Sequence, residues 1–288
     1  MGRPGHPLLH LVPVAKHRCR IDTREYTLEL GRRNRQIRSW RGHSPVRQEK
    51  CYQKPTKPTK RHAAVPRHHH PQLKHSAQAY FTFGAAVNSE QLLAKYPLIS
   101  DQVNKDQVRV ILTELEKTLG QGTEGAIVEF GCYIGTTSLF IRRLLDARGD
   151  NREFHVYDSF EGLPPKTRED ESRAGEQFQA GELTVSKKQF LQQFQKAGLR
   201  PPVTHKGWFS DLTATDVPDN IAFAFLDGDF YTSIRDSLKL VLPRMQQGSV
   251  IIIDDYAREA LPGAARAVHE LLPGTAIQTT HNLGIVRC

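Results

Sequence analysis

The stretch AIVEFGCYIGTTSLFIRRLLDA, Ala126 to Ala147, changes backbone period within a few residues. Ala126 to Gly131 is a short apolar run suited to a strand buried on both faces, and Thr136 to Ala147 reads as a helix. Between them, Gly131 and Gly135 let the chain turn tightly and come close to a ligand, and the first amides of the helix face the same spot.

The same alternation extends outward. Upstream, Asp106 to Gly120 sets Val108, Ile111, Leu112, Leu115 and Leu119 at helical spacing, with Gly120 as the stop. Downstream come strand Phe154 to Asp158, helix Ser186 to Gly198, a short strand near Val203 to His205, and strand Ile221 to Asp227. Helix Ser233 to Met245 and strand Ser249 to Asp254 follow. A last helix near Ala264 to Leu272 precedes TAIQTT and GIVRC, two short strands expected to form an antiparallel hairpin. Strands alternating with helices imply right-handed βαβ units. The expected class is therefore α/β: a doubly wound, Rossmann-like sheet, mostly parallel with a C-terminal antiparallel hairpin, and helices on both faces. In such sheets ligands bind beyond the carboxyl ends of the strands.

Those ends are acidic. The first turn, VEFGCYIGTTS, is not the GxGxxG of dinucleotide binders, and no GK[ST] phosphate loop occurs. Glu129 precedes it, suited to an ammonium group or to the turn's own amides, and Asp158 closes the second strand, where an acid suits ribose hydroxyls. Ribose recognition without a pyrophosphate loop points to S-adenosylmethionine. LDGDFYTS, Leu226 to Ser233, ends another apolar strand in Asp227 and Asp229, and IIIDDY, Ile251 to Tyr256, ends the next in Asp254 and Asp255. The fourth and fifth strands of a doubly wound sheet are neighbours, so Asp227, Asp254 and Asp255 should converge. Their repulsion calls for a cation, and hard carboxylate oxygens with open positions suit Mg²⁺. Asp229 is expected to cap the helix starting near Thr232.

Gly207, Trp208 and Phe209 follow the short strand, where the two rings offer a flat apolar wall for a purine. Lys166 to Val185 is a long polar connection, read as an active-site lid, with a solvated insertion as the alternative. His155 falls within a strand, His205, His269 and His281 stand singly, and all four are expected at solvated or satisfied core positions rather than in catalysis.

Charge divides the chain unevenly. The formal charge is +9, yet residues 1–75 hold 18 of the 40 Lys and Arg and 4 of the 31 Asp and Glu, a surplus of 14, while the remainder carries −5. Residues 1–78, rich in Pro, Arg and His, are expected to be a disordered leader, or upstream sequence translated from a misplaced start. The alternatives are a transit peptide or a basic arm on nucleic acid. The same arm would carry the competing reading of the whole chain as a nucleic-acid-binding protein. Residues 79–288 form the expected catalytic domain. Cys19, Cys51, Cys132 and Cys288 show no metal or disulfide spacing, so reduced thiols in a cytoplasmic protein are expected. No apolar run approaches a membrane span, and a homo-oligomer is possible.

VEFGCYIGTTS, YDSFEGLP, KGWFSDL, LDGDFYTSIRDSL and IIIDDY together resemble the macrocin O-methyltransferase family, over roughly Asp101 to Cys288. The resemblance implies an enzyme that uses S-adenosylmethionine and Mg²⁺ to methylate a hydroxyl of a small molecule, with a sugar or vicinal diol as acceptor. It also implies that Glu129 to Thr137, including Gly131, Tyr133, Gly135, Thr136 and Thr137, wrap the methionine part. Asp158 and Ser159 would meet the ribose, and Gly207, Trp208 and Phe209 the adenine. Asp227, Asp254 and Asp255 would hold the metal, with Asp227 and Asp255 as catalytic carboxylates. Phe230 stands where the related catechol and caffeoyl-CoA enzymes place a lysine base, so a lysine-base mechanism is not expected.

Overall fold

The structure, a computed structural model, describes residues 87–176 and 178–288. The expected leader and its basic arm lie outside the described residues, as do Cys19 and Cys51. No disulfide joins Cys132 and Cys288. No described helix is long and apolar enough to cross a membrane.

Seven strands form one sheet in the order β3-β2-β1-β4-β5-β7-β6. They are β1 (Ala126–Phe130), β2 (Phe154–Asp158), β3 (Val203–Lys206), β4 (Ile221–Leu226), β5 (Met245–Ile253), β6 (Gln278–Thr280) and β7 (Leu283–Arg287). The first five are parallel, whereas β7 runs antiparallel to β5, and β6 to β7. The helices are α1 (Ser89–Lys95), α2 (Lys105–Gly120), α3 (Thr136–Arg148), α4 (Lys187–Ala197), α5 (Tyr231–Val241) and α6 (Pro262–Leu271).

Strand alternation sorts the core into two layers. Ile127, Phe223, Phe225, Val250 and Ile252 point to the face covered by α1 to α4, where they meet Val108, Ile111, Leu112 and Leu115 of α2. Val128, Phe130, Ala224, Leu226, Ile251 and Ile253 point to the face covered by α5 and α6. β1 and β4 are buried at every position, as strands covered on both faces must be. Each fully buried Ile or Phe there contributes roughly 1.5–3 kcal/mol of transfer free energy.

Two boundaries differ from expectation. The helix read as Ser233 to Met245 stops at Val241, and Leu242–Arg244 forms a 3₁₀ turn. Pro243 lacks the amide that would continue the α-helical ladder, so the strand read from Ser249 begins at Met245. α1 was not read from the sequence. Its seven residues are too few to show a period, although Asn88 and Gln91 close a capping box before buried Leu92 and Leu93.

Candidate active site

Sheet register brings the acidic strand ends together. Phe130 pairs with Leu226, and Leu226 with Ile253, so Gly131, Asp227 and Asp254 emerge side by side. The ladder continues one step further: the Asp227 amide donates to the Phe130 carbonyl at 2.7 Å, and the Asp254 amide to the Leu226 carbonyl at 2.8 Å. Gly131 (φ +87°) lies so close to the end of β4 that a Cβ there would sit 1.8 Å from the Asp227 carbonyl oxygen. Only glycine permits that approach.

One carboxylate oxygen each from Asp227, Asp254 and Asp255 lies within 4.8 Å of the others, the group of this kind found among the described residues. Asp254 and Asp255 are buried and Asp227 is half-buried. Asp254 Oδ1 accepts from Gln107 Nε2 at 3.0 Å and from the Asp255 amide at 2.9 Å. Arg258 Nη1 donates to Asp255 Oδ1 at 3.0 Å. Burial, then Asp255, pushes the Asp254 carboxyl up to about 7. Burial also raises Asp227, although part of its surface opens to the pocket, and Asp254 raises it further. Burial raises Asp255 against the opposing pull of Arg258. A cation among them would relieve their mutual repulsion and the burial cost that raises all three. Three hard oxygen donors, whose charge Arg258 offsets only in part, therefore fit a divalent ion of the Mg²⁺ type.

A single pocket collects most of the expected site. Gly131, Tyr133, Asp158, Ser159, Trp208, Phe209, Asp227, Asp254 and Asp255 all line it. Asp158 Oδ2 accepts from the Cys132 and Tyr133 amides at 2.8 and 3.3 Å, and Oδ1 from the Phe160 amide at 2.7 Å. This pins the turn to the end of β2 and leaves Oδ1 able to accept again. Phe209 packs edge-on against Phe130 at 5.3 Å, and Phe130 stacks on Tyr157 at 4.4 Å. The two rings expected as a wall are half-buried and line the pocket, and Phe209 is braced from behind by Phe130.

Glu129, Gly135, Thr136, Thr137 and Gly207 stand outside this lining. Glu129 is buried and accepts from the Ser138 hydroxyl of α3. Burial, with Asp158 adding to it against that hydrogen bond, holds its carboxyl up at about 8. Thr136 Oγ1 is hydrogen-bonded to Ser100 Oγ at 2.7 Å.

Asp229 does not cap a helix. The N-cap of α5 is Phe230, which makes no side-chain cap bond, and the Tyr231 amide donates instead to Asp170 Oδ1 at 2.6 Å. Asp229 adopts left-handed backbone (φ 58°) and lines the pocket as a fifth carboxylate, raised by burial and by Asp255. Tyr133 (φ 47°) and Asp255 (φ 53°) share that conformation, which persists in non-glycine residues only where the surroundings over-determine it.

Gln102, Leu163, Leu183 and Arg258 also line the pocket and had no strand-end signal in the sequence. Leu183 belongs to the long connection, which is docked on the domain. Leu163, Phe178, Phe230, Ala260 and Leu261 form a small apolar core beneath it. Among the histidines, His205 does not stand singly: its Nε2 lies 3.1 Å from His155 Nδ1, and its ring stacks on Tyr157. Neither lines the pocket.

The family model for macrocin-O-methyltransferase (TylF) matches residues 48–281. The chain belongs to this family. The match of this macrocin-O-methyltransferase family member begins inside the tract that composition marks as a leader, further upstream than the quoted motifs reach. The chain is 36% identical over 164 residues to a tetracenomycin-C 4'-O-methyltransferase of Streptomyces olivaceus, covering 54% of this chain and 61% of that protein. It is 32% identical over 164 residues to mycinamicin III 3''-O-methyltransferase of Micromonospora griseorubida, covering 54% and 63%. The family member therefore spans about three-fifths of the length of these curated relatives. Its fold is shared with the O-methyltransferase NovP (TM-score 0.56, 24% identity, 64% of this chain and 80% of that one). It is also shared with the calicheamicin methyltransferase CalS11 (TM-score 0.54, 18% identity, 69% and 90%).

Proposed function

We propose that this chain transfers the methyl group of S-adenosylmethionine to a hydroxyl of a small-molecule acceptor, a sugar or vicinal diol of a natural product. In this reading Asp227, Asp254 and Asp255 hold Mg²⁺. The observation that carries it is the convergence of those three carboxylates beside the glycine turn and Asp158, in one pocket of a macrocin-O-methyltransferase family member.

Electrostatics favours the same ligands. Five carboxylates and one arginine line the pocket, so it attracts a sulfonium and a divalent ion and disfavours an anionic cofactor such as a dinucleotide. The turn from Gly131 to Tyr133 meets the methionine part, Asp158 Oδ1 accepts from a ribose hydroxyl, and Trp208 with Phe209 flanks the adenine. When bound, the ion would neutralise the carboxylates and acidify a hydroxyl beside it.

The protein's own part is orientation and proton handling. The acceptor oxygen attacks the methyl carbon in line, the carbon–sulfur bond breaks with its electron pair passing to sulfur, and the hydroxyl proton goes to a carboxylate oxygen. Asp227 and Asp255 are the candidate acceptors of that proton, Arg258 engaging Oδ1 of Asp255 and leaving its Oδ2. A lysine base has no support: Phe230 is fully buried in the small apolar core, and nearby Lys166 donates to the Gly175 carbonyl away from the pocket.

Calorimetry should show S-adenosylhomocysteine binding to the full chain, and labelled methyl should reach a glycoside or diol acceptor in a Mg²⁺-dependent assay. Asp254→Ala should retain S-adenosylhomocysteine binding while kcat falls about 10²–10³-fold, the usual cost of deleting one electrostatic contributor to a transition state. A well-folded sample that binds no S-adenosylhomocysteine would sink the reading.

A further inference from the structure

We infer that Gln107 is a positioning residue for the carboxylate cluster, orienting Asp254 so that Oδ2 is the oxygen left for a cation. Gln107 stands at the third position of α2 and closes a capping box with Asn104: Asn104 Oδ1 accepts from the Gln107 amide at 3.0 Å, and Gln107 Oε1 from the Asn104 amide at 3.0 Å. Two other helices open the same way, with Gln91 in α1 and Gln189 in α4, but those carboxamides are exposed. Gln107 alone of the three is buried, 7% exposed, and its Nε2 crosses to Asp254 Oδ1 at 3.0 Å.

The hydrogen-bond inventory makes the consequence specific. With its Oε1 committed to the Asn104 amide, the carboxamide can present only its donor to Asp254. Asp254 Oδ1 also receives the Asp255 amide, so both lone pairs of that oxygen are used and Oδ2 remains. Groups that hold a ligand's far side in this way typically change metal affinity 10–100-fold when removed. α2 thereby sets the geometry of a cluster that otherwise belongs to β4 and β5.

This inference rests on the metal-binding part of the proposed function, and Mn²⁺ binding to the full chain without S-adenosylmethionine separates the two. Gln107→Met keeps length and apolar bulk while losing both polar functions. Asn104→Ala disrupts the same helix start but leaves Asp254 untouched. Wild type should bind Mn²⁺, Gln107→Met about tenfold or more weakly, and Asn104→Ala within about twofold of wild type, with similar losses of melting temperature in both variants. Gln107→Ala serves as a second arm should methionine not be accommodated. Unchanged Mn²⁺ affinity in the Gln107 variants, or equal weakening by Asn104→Ala, reduces Gln107 to a helix cap and overturns the inference alone. A wild-type chain that binds no Mn²⁺ overturns the metal reading and the inference together.

Discussion

Glu129 lies outside the carboxylate cluster, its ionisation is displaced strongly by burial, and its effect on stability has a definite sign. In the unfolded chain a glutamate loses its proton near its ordinary value of 4.5, whereas the folded protein holds this one to about 8, chiefly through burial. Between those limits the unfolded state binds fewer protons, so stability falls as pH rises and the loss is complete only above about 8. Glu129→Gln keeps an acceptor for Ser138 and removes the titration. Relative to wild type, the variant should gain roughly a few kcal/mol between pH 5 and pH 8.5, following about 1.4 kcal/mol per pH unit. Urea melts at the two pH values measure it, and a difference that does not change with pH would mean that Glu129 titrates normally.

The connection between β2 and α4 illustrates how a polar segment is held without a large apolar face of its own. Asp170 is its fastener: one oxygen takes the Thr167 amide and hydroxyl, the other the Tyr231 amide at the start of α5. Gly263, at the start of α6, has no room for a Cβ, which would lie 1.9 Å from Asp170 Oδ1. Asp170→Ala should cost about 1–3 kcal/mol by leaving that amide unpaired, and should speed tryptic cleavage at Lys166, Arg168 and Arg173. Unaltered cleavage would show that the apolar core under Phe178 suffices. Asp170 also marks what the sequence could and could not convey. The convergence of Asp227, Asp254 and Asp255 was readable, because strand-end position in a doubly wound sheet follows from local pattern alone. Asp170 and Gln107 act on residues 61 and 147 positions away, through single hydrogen bonds that leave no periodic trace. Asp229 misled for the opposite reason: an acid before a helix is a strong local signal for a cap, and a distant acid had taken the amide. Likewise the apolar spacing through Leu238, Leu242 and Met245 runs on past Pro243, so the pattern overshot the helix end.

Across the domain, protection from solvent should follow the sheet order. β1 and β4 are buried along their whole length and flanked on both sides, whereas β3 and β6 are edges, with Val203 50% exposed. Amide hydrogen exchange should therefore be slowest in β1, β4 and the second half of β5, and fastest among the strands in β3 and β6. Comparable exchange in edge and centre would mean that the sheet opens as one unit. The abutment of Gly131 on the end of β4 matters beyond packing. Two stretches of peptide, one facing the proposed donor and the other carrying the proposed metal ligands, lean on each other with no side chain between them. In the proposed reaction the distance between those two sites would thus be set by main-chain contact and not by the side chains at the rim.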